Sequence, residues 1–94
     1  SDVAPQARAS LERGREALLA GDPATALGVL REAHALAPDH AQIRSALGLS
    51  IALAERDFEQ ARALCESAAK QEFFNPELYL NLAKVYLSVG RRPE

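Results

Sequence analysis

Few side chains in this sequence could do chemistry of their own. Cys65 is the single thiol, and His34 and His40 are the two imidazoles. A cysteine beside a histidine can make a nucleophile pair, and a structural zinc takes four ligands at close, patterned spacing. His34 and His40 flank the end of one helical segment, Cys65 is distant in sequence, and there is no second cysteine. A Cys–His pair is conceivable, but Cys65 falls on an apolar packing position, where free cysteine behaves as a small hydrophobe. Asp57 and Glu59 mark a helix start rather than a general acid and base. Tyr79 and Tyr86 lie two helical turns apart and read as packing residues. There is no glycine-rich phosphate loop. The sequence therefore predicts a non-catalytic chain with no cofactor and no metal.

Whatever work the chain does must come from how its elements are arranged. Ninety-four residues make one small domain, and 48% of them are hydrophobic while only 5% are aromatic. Alanine and leucine dominate, and both are strong helix formers. The β-branched and aromatic alternation of strands is nearly absent. An all-α fold is expected. Net charge is −2 with both signs interspersed, so no basic stripe exists to follow a nucleic-acid backbone. No apolar run is long enough to span a membrane, and no signal peptide is visible. A lone cysteine can make no internal disulfide and fits a cytosolic or otherwise undemanding redox setting. The lack of methionine fits a processed chain or a piece of a longer one.

Five helices are predicted. The first begins near Val3 to Gln6, capped by Ser1 or Asp2, and ends at Gly21. Asp22 caps the second, with Pro23 at its first position, and Pro38 stops it. Asp39 is expected to cap the third, with Gln42 completing a capping box. The turn Glu55-Arg56-Asp57 has no glycine, and Asp57 caps the fourth helix. Phe73 and Phe74 read as an apolar plug over that helix. Asn75 caps the fifth, Pro76 opens it and Gly90 closes it. Residues 91–94 read as the turn into a further helix.

The elements repeat. Gly14 and Gly48 lie 34 residues apart. Asp22 and Asp57, Ala26 and Ala61, Leu30 and Cys65, Ala33 and Ala68, Leu47 and Leu82, and Gly48 and Ala83 are each 35 apart. A period of this size, carried by small and apolar residues, marks stacked helical hairpins that cannot bury their faces alone.

On these positions the chain resembles the tetratricopeptide repeat (TPR) family. Its glycine slot holds Gly14 and then Leu47-Gly48. Its second-helix slots hold Ala26, Leu30 and Ala33, then Ala61, Cys65 and Ala68. The third unit offers Tyr79, Leu82, Ala83 and Tyr86, and Pro38 and Phe73 stand in the proline slot. The resemblance covers about residues 6–92, as repeats over 6–38 and 39–74 and a partial repeat over 75–94. It departs at Ser10, Arg13, the turn near Arg56 and Phe73.

The resemblance implies a superhelical solenoid whose first helices line a concave surface. Such a surface holds an extended or helical segment of another protein. Carried over by register, the inward positions are Arg8, Leu11, Glu12, Arg15 and Leu19, then Ser45, Ala46, Leu49 and Leu53, then Glu77, Asn81 and Lys84. Leu49 and Leu53 are expected to touch the partner. Arg15 and Lys84 would guide charge, and Asn81 would bond to its backbone. The family's clamp for chaperone tails is not expected, because Glu77 stands where a cation should. The last helix is apolar, and a face around Leu78, Val85 and Val89 is expected to be covered by a second copy of the chain or by further sequence. The function implied is a protein–protein interaction scaffold. The alternative is a TPR segment of a larger bacterial enzyme or assembly factor, serving substrate positioning or oligomerisation.

Overall fold

A computed structural model describes residues 5–91. Five helices follow one another: α1 (Pro5–Leu19), α2 (Pro23–Leu36), α3 (Ala41–Glu55), α4 (Phe58–Gln71) and α5 (Pro76–Ser88). No strand occurs among the described residues, so the class is all-α. The caps expected at Ser1 or Asp2, and the turn expected over 92–94, lie outside the described residues.

The helix ends follow from residue chemistry. Gly21 takes φ +77° after α1, a left-handed conformation in which glycine carries no side-chain penalty. Asp22 then accepts the Thr25 N–H at 3.2 Å and its hydroxyl at 2.7 Å. These bonds, the hydroxyl first, hold the Asp22 carboxyl below its ordinary pKa. Asp57 accepts the Gln60 N–H at 3.2 Å, and Asn75 accepts the Glu77 N–H at 3.1 Å. Pro23 and Pro76 occupy first-turn positions, where a missing N–H costs nothing. Arg56 matches Gly21 one period on, but as a non-glycine residue at φ +59°. That conformation costs about 1 kcal/mol. The Arg56 guanidinium lies 4.7 Å from the centre of the Phe58 ring and donates to the Arg91 carbonyl, which offsets the cost.

The cap of α3 corrects an expectation. It is His40, not Asp39: Nδ1 of His40 accepts the Ile43 N–H at 3.4 Å. The helix begins at Ala41, so only residue 40 stands at the capping position. Gln42 is not part of a capping box and serves elsewhere. Burial lowers the His40 pKa from its ordinary 6.5, the charge of Arg8 lowers it further, and Glu72 opposes both. Protonation also removes the acceptor. The folded state thus binds the proton less readily than the unfolded chain. Stability from this cap is present above pH 6.5 and lost as pH falls through the lower folded value. Thermal melts at pH 7.5 and 5 should show His40→Asn losing less stability on acidification than wild type. The difference expected is about 0.5 kcal/mol, or roughly 2–4 °C.

α1, α3 and α5 form a row, α1 against α3 and α3 against α5. α2 packs on α1 and α3, and α4 packs on α3 and α5, while α2 and α4 do not pack on one another. The period seen in the sequence recurs in these contacts. Gly14 of α1 lies under Leu30 of α2, and Gly48 of α3 lies under Cys65 of α4. The C-caps Ala37 and Glu72, one period apart, each return an N–H to the carbonyl four residues back. The core runs through all five helices, from Ala7, Leu11 and Leu30 through Ile43 and Ile51 to Cys65 and Val85. Ala41, Ala68, Ala69 and Leu78 form a smaller cluster beside it. Its many alanines let the helices approach closely.

Phe73 and Phe74 do not plug α4. They stand 71% and 72% exposed, edge to face with centroids 5.6 Å apart. The turn that carries them is closed by the Asn75 N–H on the Glu72 carbonyl and by the Asn75 amide on the Glu72 carboxylate, both at 3.0 Å. That closure turns both rings outward.

Candidate binding groove

Cys65 is fully buried, and its Sγ lies 3.4 Å from the Ser45 carbonyl to which it donates. Burial pushes the thiol pKa up to about 12, so it stays protonated at neutral pH. Among the described residues, no group of three or more His, Cys, Asp or Glu side chains is placed to hold a metal ion.

What the row α1–α3–α5 does form is a groove. A cavity of about 300 Å³ opens between the three helices, lined by Leu18 and Leu19 of α1, Ala46, Leu49 and Leu53 of α3, and Leu80, Asn81 and Lys84 of α5, with Arg15 and Glu77. Some of its lining positions recur with the period: Arg15, Leu49 and Lys84 are 34 and then 35 residues apart. Leu19 and Leu53 are likewise 34 apart.

Arg15 ties the three helices together. It donates a two-bond fork to Glu77 at 2.8 and 2.9 Å, one bond to Gln42 at 2.8 Å and one to Glu12 at 2.6 Å. Burial lowers the Arg15 pKa, but the hydrogen bond and charge of Glu77, then those of Glu12, outweigh it and raise the pKa overall. The guanidinium is partly exposed, so the fork fixes geometry more than it adds stability, about 1 kcal/mol at most. Lys84 is in no salt bridge found among the described residues and remains exposed at the groove.

Several expected surface residues are internal. Leu11 is 1% exposed and belongs to the core. Ser45 is fully buried and accepts the Asn81 amide at 2.9 Å. The Asn81 donor is thus engaged inside the chain instead of being free for a partner backbone. Leu49 is buried as well and forms the groove floor, leaving Leu53 as the more accessible of the two leucines. Arg8 is exposed on α1 but does not line the cavity. Glu12 and Arg15 are spent on each other and on α5. On α5, Leu78 and Val85 face inward and are buried by the chain's own helices, so they form no open face; Val89 is half exposed. Leu18, Leu80 and Gln42 complete the site, and sequence reasoning passed over them. Leu80 was within reach, because it is Ser45 plus one period.

No helix of the described residues is long and apolar enough to cross a membrane. No family model, no curated protein and no solved structure matches this chain.

Proposed function

We propose that this chain is a non-catalytic, TPR-like interaction module. Its α1–α3–α5 groove holds an apolar segment of another protein. The observation that carries the reading is the groove itself, with leucines from the alternate helices α1, α3 and α5 converging on one cavity. Leu19 and Leu80 leave much of their surface in water. Covering such side chains returns about 1.5–3 kcal/mol for each one fully buried. Lys84 at the rim favours an acidic residue beside the apolar ones. The hairpin contacts at Gly14 and Gly48 support a translational stack of the family's kind. The module would serve equally within a larger bacterial enzyme or assembly factor, where the occupant is a neighbouring segment.

Selection of a random peptide display library on the immobilised chain tests this, followed by fluorescence anisotropy of the selected peptides. Enriched peptides should be apolar with at least one carboxylate, and Leu53→Glu should weaken them at least ~10-fold, about 1.4 kcal/mol. Leu53 is more than a third exposed, so its variant keeps the fold. No enrichment, or binding indifferent to Leu53→Glu, would remove the groove as the site.

A further inference from the structure

α5 has two faces. Leu78, Asn81, Val85 and Ser88 point into the chain and are buried. On the opposite side Tyr79, Leu80, Tyr86 and Leu87 surround Ala83 and stand about half exposed or more, with Leu87 at 65%. One period earlier the same positions are Arg44, Ser45, Ile51 and Ala52 around Gly48. There Ser45, Gly48, Ile51 and Ala52 are buried, and α4 lies over Gly48. Gly14 receives α2 in the same way. The repeat therefore shows what belongs on the open face of α5: an antiparallel helix crossing at a small residue.

We propose that this helix is α5 of a second copy of the chain, the two packed antiparallel about a two-fold axis at Ala83. The face is a palindrome about that residue. Tyr79 and Leu87 are each four residues from Ala83, and Leu80 and Tyr86 are each three. A two-fold therefore sets Tyr79 of one copy on Leu87 of the other, and Leu80 on Tyr86. An isologous contact requires this self-complementarity. Alanine at the crossing lets the helices approach closely, as ridge-into-groove packing needs. Charges fit as well: Lys84 meets Leu82 and Glu77 meets Val89, so no like charges oppose. On the flank, Tyr86 donates to Glu66 of α4 at 2.9 Å, which holds the ring in place for contact. One helix face per copy buries less than the ~1,600 Å² of a standard interface, so the dimer is weak and depends on concentration.

Sedimentation velocity of the whole chain across roughly 10 to 500 µM tests this directly. The wild type should pass from monomer to dimer, and Ala83→Glu should remain monomeric. Ala83 is exposed, and an unchanged circular dichroism melt would establish that the variant folds. Ala83→Cys should form an intermolecular disulfide under mild oxidation, with buried Cys65 not competing. Tyr79→Cys should cross-link with Leu87→Cys in a mixture and not with itself. A monomer throughout this range, a dimer that survives Ala83→Glu, or cross-linking in the wrong pairs would overturn the proposal. Leu80 lines both the groove and this face, so dimer and peptide should compete for it, whereas Ala83 lies outside the groove and Ala83→Glu leaves peptide binding by the monomer intact.

Discussion

Gly48→Ala is expected to destabilise the chain by about 2 kcal/mol, although alanine is the better helix former by about 1 kcal/mol. The reason is contact. A Cβ at residue 48 would meet the Cys65 Sγ at 2.7 Å, the Ala61 carbonyl oxygen at 2.9 Å and the Leu64 Cβ at 3.2 Å. A carbonyl within a helix cannot rotate aside, so α4 must move off α3 as a body. The two helices share much of the core, and that displacement costs more than the backbone entropy recovered. For a domain of this size the melting temperature should fall by roughly 10 °C. Truncating Cys65 to alanine should not restore it, because the Ala61 oxygen and Leu64 Cβ remain. Chemical denaturation of the single and double variants gives the answer.

Leu30→Ala carries the largest expected loss, about 3 kcal/mol. Leu30 is fully buried where α2 crosses α1, and its side chain fills the space that Gly14 leaves open. Removing it deletes the transfer energy and leaves a cavity that packed helices only partly close. Gly14 reads this contact from the other side. The three atoms nearest to a Cβ there all belong to the Leu30 side chain, the closest at 2.5 Å. Gly14→Ala alone should therefore destabilise by overpacking. In the Leu30→Ala background the obstacle is gone, and the same substitution should become neutral or favourable. A coupling of about 1 kcal/mol or more in the double-mutant cycle is expected. An additive result would mean that α1 and α2 do not meet at this pair.

The contrast between these two glycines shows what the sequence makes legible. Their spacing, and the matching spacing of Leu30 and Cys65, marks the repeat in the sequence, while the crossing of each glycine with its partner is seen only in the fold. The caps Asp22, Asp57 and Asn75 were equally readable, because a short polar side chain before an apolar stripe has one dominant use. His40 was not readable, since Asp39 is the better capping residue by type and only the phase of α3 selects its neighbour. Phe73 and Phe74 misled because hydrophobicity predicts burial in helices, whereas these rings sit on a turn whose closure faces them outward. Leu78 and Val85 read as an open face because α5 is apolar over much of its circumference. Composition cannot tell its inner side from its outer one, although the register with buried Ile43 and Ser50 could have. Inside the groove, the register gave the positions but not their depth. Ser45 and Asn81 bond to each other across α3 and α5, a pairing that residue type alone does not reveal.

The proposed function rests on the groove, and backbone amide shift mapping reads that surface residue by residue. The isotope-labelled chain would be titrated with a selected peptide, and each amide followed. Perturbed residues should cluster at Leu19, Leu53, Leu80 and Lys84, on three helices far apart in sequence, with α2 and the outer side of α4 silent. Shifts concentrated on α2 and α4, or spread evenly along the chain, would contradict it.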